Sequence, residues 1–300
     1  MDGFINLNKA AGLSSHSAMA AVRRLFHVKA GHAGTLDPGA EGVLPICLGK
    51  ATRLSQYLMD CRKCYRGRIV LGITTDSYDD QGLVLDKISA SHITKEDVLQ
   101  VLPQFQGLIQ QVPPMVSALK FQGQPLYKLA RQGQKLDLPA REVMIYDFQY
   151  LDGSFGGENP WLDVEISCSK GTYIRSIAHD LGAILGVGGH LANLCRKQVG
   201  IFRLEEAWTI EELMAAAEAG REDFLYPMNA PLQHFPLVQV DDEDISIVLH
   251  GNDLFLPLSE EEYQICRIED QRGNLLAMGS LKKLTKSSLL SMNKVLAGGL

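Results

Sequence analysis

Apolar positions change period several times along the 300-residue chain, and each change marks an element. Phe4 to Lys9 alternates apolar and polar residues from Ile5 onward and predicts a short strand ending at Lys9. A helix follows, capped by Ser14 or Ser15, with Ala18, Val22, Leu25 and Phe26 inward and Arg23 and Arg24 outward. Val43 to Leu48 is apolar throughout, as in a strand buried on both faces, and Ala51 to Met59 places Leu54, Tyr57 and Leu58 on one side of a helix. Cys61 to Leu71 reads as a strand that begins basic and ends apolar. A hairpin then joins Ile69–Ile73 to Leu83–Leu85 through the polar turn TTDSYDDQG, whose acids Asp76, Asp79 and Asp80 read as solvated.

An amphipathic helix over Thr94–Phe105 turns Val98, Leu99 and Leu102 inward. The segments Trp161–Cys168 and His190–Lys197 are strands flanking a helix that runs to Leu185, and Thr209 caps a further helix over Ile210–Ala219. Pro227, Pro231 and Pro236 punctuate a boundary. Beyond it, short strands are expected at Leu237–Val240, Leu254–Leu256, Gln264–Ile268 and Leu275–Gly279, with a turn over Leu249–Asp253.

Between the first helix and the Val43 strand the periodicity stops. Gly31 to Pro45, GHAGTLDPGAEGVLP, holds four glycines and two prolines in fifteen residues, so it is a tightly specified loop rather than a helix. Asp37 at its centre precedes Pro38, which drives it out of the helical region and fixes how its carboxylate leaves the chain. Taken alone, the pair fits either an Asx turn bonding its own backbone or a carboxylate held rigidly for a ligand.

Composition narrows the class. Hydrophobic residues make up 46% of the chain, enough for a substantial core, and no apolar run approaches the ~18 residues of a membrane span. With neither a basic n-region nor an apolar h-region at the start, the cytoplasm is the expected location. Six scattered cysteines suit reduced thiols, and Cys61-x-x-Cys64 lacks the second pair that a zinc site needs, so no metal is expected. Net charge is −6, yet residues 1–70 carry ten Lys or Arg against four acids, while 236–300 carry six against ten. A basic working face on an acidic remainder is compatible with RNA, as is a plain solvated surface.

Three stretches resemble one family. GHAGTLDPGAEGVLP is similar to the loop GHxGxLDPxAxGxLP of the TruB family of tRNA pseudouridine synthases. Val112 to Lys120, followed by Gly123, Tyr127, Ala130, Arg131 and Gly133, resembles that family's P-x-x-S-A-x-K and G-x-x-x-Y-x-x-A-R-x-G segments, and Ser169 to Ser176, SKGTYIRS, resembles its GTYIR segment. Lys9-Ala10-Ala11-Gly12-Leu13-Ser14 keeps the family's opening motif except for its proline, replaced by Ala10, which should loosen that turn slightly.

The resemblance implies an α/β fold with a mixed, mostly antiparallel central sheet and flanking helices. It places a catalytic domain over 1–230, an RNA-clamping segment over about 112–140 and a small, divergent β-rich PUA-like RNA-binding domain over 236–300. It also implies the roles. Asp37 is the catalytic carboxylate, Tyr65 a base-stacking catalytic residue and Arg175 the arginine that meets Asp37 through charge-assisted hydrogen bonds. His32, Gly34, Lys9, Lys120, Lys128, Arg131 and Lys170 would bind substrate, with Leu194 packing on the flipped base. The reaction needs no cofactor. The expected partner is the T-arm stem-loop of tRNA, bound by a monomer, with conversion of the uridine at position 55 to pseudouridine. A tRNA-folding chaperone whose turnover is dispensable is the alternative. Guide-RNA-dependent relatives fit less well, because the chain lacks long basic tails and carries the clamp-like segment.

Overall fold

The computed structural model describes residues 1–117, 119–121, 123–126, 129, 132 and 136–296. Its centre is a ten-stranded mixed sheet whose main path runs Leu225–Tyr226, Gly3–Lys9, Glu41–Leu48, Gly189–Val199, Lys63–Leu71, Trp161–Cys168, Arg141–Ser154 and Gly107–Gln111. Within that path one neighbour pair is parallel, Cys195 and Arg196 against Glu41 and Gly42; the rest are antiparallel. The expected α/β sheet with flanking helices is the fold found.

Burial follows pattern. Trp161–Cys168 alternates buried with half-buried residues, whereas Gly42–Leu48 is buried on every residue, as its unbroken apolar run demands. One face packs Leu44, Ile46, Ile69 and Val164 against the helices Ser15–Phe26 and Ile174–Ile184. The other packs Phe4, Val43 and Cys47 against Leu54, Tyr57, Leu58 and Phe202. A separate five-stranded sheet, Leu237–Gln239, Tyr263–Glu269, Leu275–Lys283, Ser288–Val295 and Leu254–Leu256 in that order, has its own core around Val248, Cys266, Ile268 and Leu290. It joins the larger unit through Leu275, Met278 and Leu296, and through an Arg53 Nη1 bond to the Val295 carbonyl at 2.7 Å.

Several expectations need correction. Residues 51–59 divide into a 3-10 turn over Gly49–Leu54 and an α-helix over Ser55–Met59. The helix capped by Thr94 ends at Val101 and tightens into a 3-10 turn over Leu102–Phe105, and Leu99, one position off the buried Val98 and Leu102 row, is 41% exposed. In the tail, the strand Ser288–Val295 and the helix Ile245–Leu249 went unpredicted. Lys128, Arg131, Tyr127, Ala130, Gly133 and Lys135 lie outside the described residues, and of Lys120 only the backbone is described.

Candidate active site

The Asp37 loop is pinned from below. Lys9, 1% exposed at the end of its strand, gives its ammonium to three carbonyls: Leu13 at 2.7 Å, Ala10 at 3.0 Å and Pro38 at 3.4 Å. Burial pushes that ammonium down to about 8, against the pull of Asp37. Lys9 is therefore loop scaffolding rather than an exposed contact for substrate. The choice between two capping serines is settled by Ser14, which accepts from the Ser17 amide at 3.0 Å. This releases Ser15 to donate to the Leu36 carbonyl and accept from the Leu36 amide, both at 2.8 Å. Gly34 adopts φ +93°, which side chains rarely tolerate.

Above this base Asp37 is 43% exposed and faces Arg175, which is 4% exposed. Arg175 Nη2 lies 2.8 Å from Asp37 Oδ2, and Nη1 lies 3.3 Å from Asp79 Oδ2. The same two nitrogens donate to the Ser77 and Val116 carbonyls at 3.0 Å, so the guanidinium is held from four directions. Its backbone opens the Ile174–Ile184 helix, behind the Gly171 and Thr172 turn.

Asp79 is thus no solvated turn residue. Its turn is anchored by Thr75 Oγ1 on the Asp79 carbonyl at 2.7 Å and by the Leu191 amide on the Tyr78 carbonyl at 3.0 Å. Tyr78, at φ +65°, stacks on His179 with ring centroids 3.9 Å apart. Nothing in TTDSYDDQG marks which acid turns inward. The only available signal was that a buried arginine has more donors than Asp37 alone can accept.

Asp37, Asp79, Arg175, Leu191, Asn193 and Leu194 line one cleft. Leu194 is half-buried there, an apolar wall opposite the charges. Tyr65 sits deeper, 9% exposed on an inward strand position, so its ring is no open platform. Burial raises its phenol, and the nearby Arg196 charge opposes that rise. His32 is half-buried with Nδ1 unpartnered, and burial lowers its pKa, keeping the ring neutral. Lys170 is not brought to the cleft floor: it is 64% exposed and pairs with Asp60 at 2.6 Å. Lys63 is 6% exposed on the Met59 and Cys61 carbonyls, so it and Lys9 drop out of the basic working face.

The cleft thus sets an exposed acid, held by a buried arginine, beside an apolar leucine. Residues 23–174 match the N-terminal domain of the TruB family pseudouridylate synthases, and 175–233 match the tRNA pseudouridylate synthase B C-terminal domain. The chain belongs to the TruB family. Among curated TruB relatives, tRNA pseudouridine synthase B of Moorella thermoacetica is 44% identical over 98% of this chain and 99% of its own, and that of Pseudomonas aeruginosa is 43% identical over 94% and 92%. Solved structures place this TruB chain beside an H/ACA RNP bound to a substrate RNA containing 2'-deoxyuridine, with a TM-score of 0.75, 27% identity and coverage of 99% of this chain and 85% of that one. A Cbf5-Nop10-Gar1 complex gives a TM-score of 0.75 at 28% identity, covering 98% and 85%. The TruB match over 175–233 includes the strand Gly189–Val199, so that part belongs to the large sheet.

Proposed function

We propose that this protein isomerises a uridine of tRNA to pseudouridine, with the uridine at position 55 in the T loop as target. The observation that carries the reading is the Asp37–Arg175 pair at 2.8 Å, at the mouth of a cleft walled by Leu194, in a chain of the TruB family. The substrate uridine leaves its stack and enters the cleft, at a cost of a few kcal/mol that contacts to the base offset. Asp37, fixed by Arg175 yet open to the cleft, acts on the sugar, either as nucleophile at C1′ or as base on the C2′ proton. The glycosidic bond breaks, the uracil turns between Leu194 and the Tyr65 edge, C5 joins C1′ as Asp37 leaves C1′ or returns the C2′ proton, and the proton that C5 loses is matched by one taken up at N1. No electrons are exchanged and no cofactor enters the scheme.

Exposed Arg23, Arg24, Lys29, Arg53, Arg62 and Arg66 supply the phosphate-facing charge, with Lys120, Lys128 and Arg131 of the clamp segment. His32 wedges where the base departs, Gly34 lets the RNA approach the loop, and Lys170 meets phosphate at the rim. Residues 1–230 act as the catalytic domain and 236–300 as a divergent PUA-like RNA-binding domain. The protein works as a monomer in the cytoplasm; among the described residues no helix is long and apolar enough to cross a membrane. Incubation with an unmodified tRNA transcript, followed by mapping of pseudouridine, tests the reading. Pseudouridine at position 55, lost when that uridine is changed to cytidine, supports it; modification elsewhere or none overturns it.

A further inference from the structure

We propose that Arg196 is a positioning residue that locks the Asp37 loop by both of its stems, a proposal that rests on the pseudouridine synthase reading above. Arg196 is 0% exposed, the largest of the fully buried side chains. Among the described residues its guanidinium has no carboxylate partner. Instead it donates from Nε to the Val43 carbonyl at 2.7 Å, from Nη2 to Gly34 at 3.0 Å and from Nη1 to Thr35 at 3.4 Å. Gly34 and Thr35 enter the turn that presents Asp37, and Val43 leaves it. One planar group therefore ties both stems of the loop.

Tyr65 is the cross-strand partner of Arg196, so the strand that holds the loop also runs beside the tyrosine. On its other side the Glu41–Leu48 strand is brought equally close: a Cβ on Gly42, itself at φ +101°, would lie 2.4 Å from the Arg196 carbonyl.

A buried cation without a counter-charge is costly, and a methionine of similar length would fill the space without that cost. What methionine cannot do is donate at all, and the donors of lysine radiate from one nitrogen instead of a rigid planar fork that reaches separate stems. The cost is visible nearby, where Arg196 adds to burial in lowering the ammonium groups of Lys9 and Lys63 and the ring of His32. Displacing a catalytic group by about 1 Å is enough to cost ~100-fold in rate.

The test compares wild type, Arg196→Lys and Arg196→Ala in single-turnover conversion of a T-arm stem-loop, with RNA affinity measured separately at fixed salt. Arg196→Lys is expected to bind RNA within about 3-fold of wild type while its rate falls ~100-fold. Millimolar guanidinium, but not methylammonium, should restore part of the Arg196→Ala rate. A rate within about 3-fold of wild type for Arg196→Lys overturns the proposal, as does a rate loss matched by an equal loss of RNA binding. Should both variants fail to fold, arginine side-chain NMR of wild type decides: three fixed bonds give separate, slowly exchanging Nη signals, and averaged signals overturn it. A wild type that makes no pseudouridine would instead defeat the underlying reading.

Discussion

Arg175 and Asp37 meet at 2.8 Å across a change of environment, the guanidinium 4% exposed and the carboxylate 43% exposed. A charge buried on one side and open on the other orients the carboxylate without covering it. Replacing Arg175 by methionine keeps the bulk and removes the charge, leaving Asp37 free to rotate. The single-turnover rate is expected to fall by about 100-fold or more, with RNA affinity within a few-fold of wild type. Equal losses in both would mean that Arg175 serves binding instead.

Asp79 shares that guanidinium, 3.3 Å from Nη1. Asp79→Asn keeps the shape and removes half of the acidic charge facing Arg175, so Arg175 should lean further onto Asp37 and hold it less available. We expect a rate loss of about 10- to 100-fold at unchanged RNA affinity. A variant as fast as wild type would show that the turn needs only the amide.

Much of this was legible in the chain. The glycine and proline density of residues 31–45 announced a fixed loop, and the resemblance of SKGTYIRS named Arg175 as the partner of Asp37. The alternation of Trp161–Cys168 gave that strand its limits. What stayed hidden depends on long-range placement. Asp79 looks like its neighbours until Arg175 is brought to it. Arg196 lies beside register shifts between Leu191 and Asn193 and between Arg196 and Gln198, which break the period that would have marked it as inward. Leu99 was misplaced because the buried row of its helix runs through Val98 and Leu102, four residues apart, and Leu99 falls a position off it.

Ser15 supplies both a donor and an acceptor to Leu36, each at 2.8 Å. Ser15→Ala strands that buried amide and carbonyl, at a cost of about 1–3 kcal/mol. Urea titration should show the midpoint falling at unchanged slope. A midpoint equal to that of wild type would mean that water replaces the hydroxyl.

Asp180, half-buried on the Ile174–Ile184 helix, has its carboxyl pushed up by burial from 3.8 to about 6. Below pH 3.8 the group is protonated in folded and unfolded chains alike. Between 3.8 and about 6 the folded chain holds a proton that the unfolded chain has released, so this group makes stability fall as pH rises through that window and stay lower above it. Asp180→Asn should flatten this part of the pH profile and raise Tm at pH 7. Parallel profiles for the two proteins would contradict the assignment.

The central claim is that Asp37 is the group that acts on the sugar. Single-turnover conversion of uridine in an unmodified T-arm stem-loop, measured for wild type and Asp37→Asn with RNA binding followed for both at one salt concentration, tests it most directly. The account predicts that wild type forms pseudouridine while Asp37→Asn binds the stem-loop comparably and forms none. Comparable conversion by both proteins, or binding by both with conversion by neither, would contradict it.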